Sequence, residues 1–137
     1  MVGVNEKAEI THIPEPEGVV PGNGYTNVVT GTGRLVAVAG QVALDSDGKL
    51  VGEGDPEAQA RQIFENLRRC LAAAGVGFDE VIKLTYFLTD IAYLPAVRKV
   101  RDEFVDVSRP PASSAVQVAG LFRPDLLLEI EAFAVAP

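Results

Sequence analysis

Asp55-Pro56-Glu57-Ala58-Gln59-Ala60-Arg61-Gln62-Ile63-Phe64-Glu65-Asn66-Leu67-Arg68-Arg69-Cys70-Leu71-Ala72-Ala73-Ala74-Gly75, with Ile82-Lys83-Leu84-Thr85-Tyr86-Phe87-Leu88 shortly after it, decides the fold. In the first run Ile63, Phe64, Leu67, Cys70, Leu71 and Ala74 recur three or four apart, which places them on one face of a helix. Asp55 is positioned to cap that helix, and Pro56 suits its first turn, where no backbone N–H is needed. Gly75 can adopt the left-handed conformation that stops it. The period then changes to two, as Ile82, Leu84, Tyr86 and Leu88 alternate with Lys83, Thr85 and Phe87. The spacing predicts a strand directly after a helix.

Working outward, a short strand is expected at Glu9 to Ile13, followed by a loop rich in Pro and Gly from Glu15 to Gly24. Tyr25 to Thr30 and Arg34 to Leu44 read as strands joined by a tight hairpin at Gly31-Thr32-Gly33, with a further turn at Asp45-Ser46-Asp47-Gly48. A second helix runs from about Leu94 to Val105, its stripe made of Leu94, Val97, Val100, the stem of Arg101 and Phe104. Pro110-Pro111 forbids its continuation. Ser113 to Ala119 and Leu126 to Val135 complete the chain as strands. The order β-β-β-α-β-α-β-β describes one α+β domain over residues 1–137, with a single mixed sheet of about six strands and two helices on one face. Several strands are apolar on both registers: Leu35 and Ala37 against Val36 and Val38, and Ile130, Ala132 and Ala134 against Phe133 and Val135. The helices cover one face only, so identical subunits are expected to cover the other. The pattern does not fix the symmetry order.

The 137 residues are 47% hydrophobic and 23% charged, the composition of a globular protein with a sizeable core. A net charge of −7 argues against a nucleic-acid partner, which needs basic contacts to displace counterions, and against anionic membranes. Cys70 is alone and reads as a small buried hydrophobe. Val2 to Lys7 lacks the pattern of a secretory signal, and no run approaches the roughly 18 apolar residues that would span a bilayer, so a cytoplasmic protein is expected. His12 is the only histidine, which leaves a histidine-based metal site or a Ser-His-Asp triad without its parts. No metal and no cofactor is expected. Ser113-Ser114 has no neighbouring base to make a nucleophile, and Gly31-Thr32-Gly33 has no helix after it to form a phosphate-binding loop.

Pro111-Ala112-Ser113-Ser114-Ala115-Val116-Gln117-Val118, together with Leu128-Glu129-Ile130-Glu131-Ala132, resembles the C-terminal signature of the RidA/YjgF family. Three further segments resemble it in order: Val38-Ala39-Gly40-Gln41, Gln59 to Leu67, and Val81-Ile82-Lys83-Leu84-Thr85. The resemblance covers nearly the whole chain. It implies a chorismate-mutase-like fold, a homotrimer with the sheets facing inward, and small-molecule ligands in the clefts between subunits. It also implies hydrolysis of imines, in which a glutamate matched here by Glu129 positions or activates water. That chemistry needs only orientation, charge stabilisation and a base, because a protonated imine is already electrophilic. Glu131 is expected to be an ordinary strand residue. Gly40 aligns with a glycine that lets the ligand approach the main chain; a bulge or packing glycine is the equal alternative. Tyr25 and Thr26 fall near a tyrosine that lines the family's site, with Thr26 at the matching position counted back from Gly40. Arg98 falls where some members carry asparagine, and Ala115 where a cysteine is common, which removes any thiol-dependent step there.

One residue departs from the signature. RidA-like deaminases read Pro-Ala-Arg-Ser, and the arginine grips the substrate carboxylate, whereas this chain has Ser113. A guanidinium offers a carboxylate two charge-assisted hydrogen bonds, each worth about 1.5–3 kcal/mol, and serine offers one neutral donor. Glu129 and the acidic balance would moreover repel an unpaired anion. Arg123, Arg98, Arg109 and Arg34 are the candidate replacements. Arg123, held extended by Pro124, is the most interesting of them, against the bland reading that it pairs with Asp125 at the surface. The expected function is therefore a RidA-like small-molecule-binding protein, hydrolysing C=N in a substrate other than 2-iminobutanoate with Glu129 as catalytic residue. Ser113, Ser114, Gly40, Tyr25, Thr26, Arg98 and Arg123 are the expected binding residues. The alternative is a non-catalytic metabolite-binding, chaperone-like or regulatory module; RNA cleavage is disfavoured by charge.

Overall fold

A computed structural model describes residues 9–137. Its elements are β1 (Ile10–Ile13), β2 (Val28–Gly31), β3 (Arg34–Gln41), α1 (Pro56–Ala73), β4 (Val81–Leu88), α2 (Leu94–Arg101), β5 (Ala112–Gln117) and β6 (Leu128–Ala136). Order and type agree with the α+β expectation. The strands, however, form two sheets instead of one: a two-stranded ribbon β1-β2 and a four-stranded mixed sheet β3-β6-β4-β5. The expected hairpin between β2 and β3 is replaced by these pairings. β2 lies against β1, from Ile10 opposite Gly31 to Ile13 opposite Val28, and β3 takes the edge of β6, from Arg34 opposite Ala136.

Gly31-Thr32-Gly33 serves that crossing. A Cβ on Gly33 (φ +133°) would overlap the Ala136 carbonyl, and one on Gly31 would lie 2.9 Å from Val135 Cγ2. The two glycines thus allow the main chain to press on the end of β6.

α1 is closed at both ends as its sequence demands. Asp55 Oδ1 accepts from Ala58 N–H at 3.1 Å, and Gly75 (φ +80°) turns the chain so that its N–H reaches Ala72 O at 2.9 Å and Val76 N–H reaches Leu71 O at 3.0 Å. Ile63, Phe64, Leu67 and Leu71 are fully buried, as are Leu128, Ile130, Ala132 and Ala134 of β6. Each large side chain among them contributes about 1.5–3 kcal/mol by leaving water. Phe64, Phe78 and Phe104 form a ring cluster with centroids 5.4–5.9 Å apart, tying the segment after α2 to α1. Cys70, expected to be a small buried hydrophobe, packs against the margin of this core and is half-buried. Gln59 is fully buried: Nε2 donates to Gly52 O and Asp125 O at 3.0 Å, and Oε1 accepts from Leu127 N–H at 2.9 Å. It fixes the chain just before β6 begins.

The sheet has two unlike faces. Leu84, Tyr86 and Leu88 of β4 and the even-numbered residues of β6 from Leu128 to Ala136 face the helices. The other face carries Thr85, Phe87, Glu129, Glu131 and Phe133. Val135 is buried there beneath Gly31 and Gly33, but Leu35 is 69% and Val116 43% exposed. Among the described residues no helix is long and apolar enough to cross a membrane.

Candidate functional site

The expected site residues fall into two groups, on opposite faces of the four-stranded sheet. Glu129 stands opposite Phe87 in the β4/β6 ladder, and therefore on the open face. Register shifts between Val38 and Gln41, and the irregularity brings Gly40 against Glu129, so closely that a Cβ would overlap the carboxylate. Gly40 is thus a packing glycine of irregular backbone, the second of its two readings, and what approaches its main chain is the glutamate of the same chain. Gly40 and Gln41 also border an open groove of about 610 Å³ whose wall includes Asn66, Arg69 and Cys70. Glu131 shares the open face, opposite Thr85. Ser114 does too, and its hydroxyl accepts from Lys83 Nζ at 2.9 Å.

The second group lies on the helix face, at the β5 edge. Ser113 is opposite Leu84 and Ala115 opposite Tyr86 in the parallel β4/β5 ladder. Thr26 is 3% exposed; its N–H donates to Pro111 O at 3.3 Å and its hydroxyl to Pro110 O at 2.5 Å. It is a strap that holds the Gly22–Thr26 segment beside the start of β5, with its hydroxyl already engaged. Tyr25, half-buried, packs its ring over Gly22, where a Cβ would lie 2.9 Å from Cε2. Arg101 of α2 is 6% exposed, donating through Nη1 to Gly24 O at 2.6 Å and through Nε and Nη2 to Asp102 Oδ1 at 3.1 and 2.9 Å. Arg98, one turn earlier, is half-buried; its carbonyl accepts from Asp102 N–H at 3.1 Å, and its guanidinium has no hydrogen-bond or ion-pair partner among the described residues. Both guanidinium groups crowd Gly24: a Cβ there would be 3.4 Å from Arg101 Nη2 and 3.8 Å from Arg98 Cζ. Tyr86 projects into this corner, 2% exposed, with a buried hydroxyl that makes no hydrogen bond. Burial pushes its phenol up to about 12, against the pull of Arg101, which acts by its charge and as a nearby donor just outside hydrogen-bond geometry, and of the Arg98 charge.

Arg123 belongs to neither group. Its Nε and Nη2 pair with Asp125 Oδ1 and Oδ2 at 3.1 and 2.7 Å, the surface pairing that was the bland alternative. Sequence reasoning passed over Tyr86 and Arg101. Two signals could have found them: a tyrosine in the buried register of β4, and an arginine on the apolar stripe of α2 three residues after Arg98.

Chemically, the open-face corner presents a carboxylate able to take a proton from water, and the helix-face corner presents cations and hydroxyls able to hold an anion. A sheet separates them, so one small ligand cannot touch both within one chain.

Known proteins are similar to this chain in sequence and in fold. The family described as Endoribonuclease L-PSP matches residues 17–136. A RutC family protein of Synechocystis is 37% identical over 126 residues, covering 91% of this chain and 95% of the relative. The 3-aminoacrylate deaminase RutC of Acinetobacter baylyi is 36% identical over 119 residues, covering 87% and 93%. The Rid-family protein YyfB of Yersinia pestis superposes with a TM-score of 0.80 at 34% identity, over 90% of this chain and 96% of that one. A match along almost the entire chain, in sequence and in fold alike, places this protein in the Endoribonuclease L-PSP family, to which the RidA/YjgF and RutC proteins belong.

Proposed function

We propose that the protein binds a small metabolite in clefts between copies of itself and hydrolyses a C=N bond in it, in the cytoplasm and on a substrate other than 2-iminobutanoate. One observation carries the reading: Glu129 is seated over Gly40 on the face opposite Ser113, so a second copy, in a homotrimer, is needed to bring a carboxylate and an anion-holding corner to one ligand. Leu35 and Val116, apolar and exposed on the open face, support such an assembly. In the step itself, Glu129 takes a proton from water as the water oxygen bonds to the imine carbon and the π pair moves to nitrogen. Proton return to nitrogen and collapse of the carbinolamine then release ammonia and leave a carbonyl. A relative of the same family is named as a deaminase of 3-aminoacrylate, which supports the reaction class.

The test uses the purified full chain with 2-iminobutanoate generated in solution and a panel of other imines and enamines, following ammonia release. Slow or absent turnover of 2-iminobutanoate is expected, with at least one panel member hydrolysed and that activity reduced by about 10²–10⁴-fold in Glu129→Ala. Turnover of 2-iminobutanoate restored by Ser113→Arg would identify Ser113 as the cause of the changed preference. Full activity in Glu129→Ala would overturn the catalytic assignment. The absence of Arg at position 113 gives a second reading some weight, a metabolite-binding module without catalysis. Thermal stabilisation by panel members with no ammonia released would favour it. The net charge of −7 argues against RNA as the substrate.

A further inference from the structure

The open face of the four-stranded sheet carries two opposite charges that its own chain leaves apart. Lys83 stands opposite Phe133 of β6 and Ala112 of β5, and Glu131 stands opposite Thr85, so the two are diagonal neighbours on adjacent strands. They nevertheless form no ion pair with each other, and neither has an ion-pair partner among the described residues. Lys83 is turned away from β6, across β4 toward the β5 edge, where Nζ donates to Ser114 Oγ at 2.9 Å. An ammonium has three donors, so Lys83 has donors to offer elsewhere. Both side chains are half-buried, and Leu35, Phe87, Val116 and Phe133 share the face with them. Covering that apolar surface would take water from both charges, and a desolvated charge without a counter-ion opposes association. The strands place no other cation on this face, because Arg34 alternates to the helix side.

We propose that Lys83 of one copy of the chain pairs with Glu131 of the next where this face packs on further copies. The inference rests on the homotrimer reading above and names the pair that orients the assembly. The cation is displaced to the β5 edge, whereas the anion lies on β6, next to β3, so the two halves of the contact are different parts of the surface. Setting the β5 side of one copy against the β6 side of the next pairs each lysine once and repeats until a ring closes. A slipped or inverted contact would bury both charges unpaired, which selects against it. The pair also spares the base of the proposed reaction. Glu129 is packed against Gly40 on the β3 side of β6, and Glu131 is the carboxylate of the face that lacks such a contact.

The test is sedimentation of the full chain over a range of concentrations. Lys83→Glu and Glu131→Lys should each raise the concentration at which the assembly dissociates by about tenfold or more. An equimolar mixture of the two variants should recover most of that loss, because glutamate at position 83 then meets lysine at position 131 of the neighbour, and the native residues meet in return. A pair confined to one chain would gain nothing from the second variant. Glu129→Ala should assemble as wild type. Circular dichroism checks that each variant folds; where a reversal does not, Lys83→Gln and Glu131→Gln take its place, each with a several-fold loss expected. Unchanged association in these variants, a mixture that associates no better than its components, or a wild type that stays a single chain would each overturn the pair. The deaminase reading fails separately. A mended mixture that hydrolyses no imine would leave the pair standing and remove the enzyme, whereas imine turnover by a wild type that sediments as a single chain would do the reverse.

Discussion

The Glu129 corner and the Arg98 corner are built from the same sheet and differ in sign, in face and in how each is supported. The carboxylate lies on the open face over an irregular glycine backbone, and the guanidinium on the helix face among a tyrosine, a second arginine and a loop carbonyl. On one face, within a few ångströms, they would have formed an ion pair that neutralised both. The thickness of the sheet keeps them apart. A carboxylate and a cation that never meet in one chain cannot neutralise each other, so their separation is a property of the topology rather than of any one residue.

The largest effect that can break this comparison is at the glycine. Gly40→Ala places a methyl group on the space occupied by the Glu129 carboxylate, so it should move the side chain and lower imine turnover by at least about a hundredfold, close to the loss in Glu129→Ala. Helix content should be unaffected, because α1 and α2 lie on the other side of the sheet. Wild-type rates in Gly40→Ala would mean that the position of the carboxylate does not matter. The next effect is on assembly. Leu35→Asp puts a charge at the most exposed apolar position of β3, and sedimentation should show the native species, three times the 14.5 kDa chain mass, falling to the chain mass itself. A wild-type protein that sediments as a monomer would sever the two corners for good.

A smaller and slower change tests the helix-face corner by pH. Burial raises the Tyr86 phenol from 10.0 to about 12, so the unfolded chain loses this proton first. The stabilisation is fully present below pH 10 and is lost as pH rises toward about 12, a loss of about 2–3 kcal/mol measurable by urea unfolding across that window. Tyr86→Phe should remove this part of the slope. It should cost little or nothing at neutral pH, because the hydroxyl it deletes has no partner.

These corners were unequally legible in the sequence. Asp55, Pro56 and Gly75 mark the ends of α1 by local chemistry alone, and the change of period at Ile82 marks β4, so the elements could be read without knowing what they pack against. Strand pairing could not. Gly31-Thr32-Gly33 has hairpin composition, and only the approach of β6, with Val135 and Ala136 pressed on both glycines, decides that β2 joins β1 instead. Glu129 could be located through its signature, whereas Tyr86 and Arg101 look like a core aromatic and a helix-surface cation. The placement of Arg101 in that corner depends on Gly24, far away in sequence, whose carbonyl receives it at 2.6 Å.

Arg123 marks the lower limit of the scale. Its position between the two signature strands made it the foremost replacement for the missing clamp, and the structure gives its fork to Asp125 instead. The hydrogen bond from Arg123, followed by its charge, holds the Asp125 carboxyl below the ordinary range. A depressed carboxylate stabilises the fold above its unfolded pKa, and that contribution disappears as pH falls through the folded value. Arg123→Gln should therefore leave unfolding at pH 7 nearly unchanged, since exposed pairs of this kind contribute little, and should flatten the acid side of the stability profile slightly. An unchanged acid-side slope in Arg123→Gln would mean that some group other than Arg123 holds the Asp125 carboxyl down.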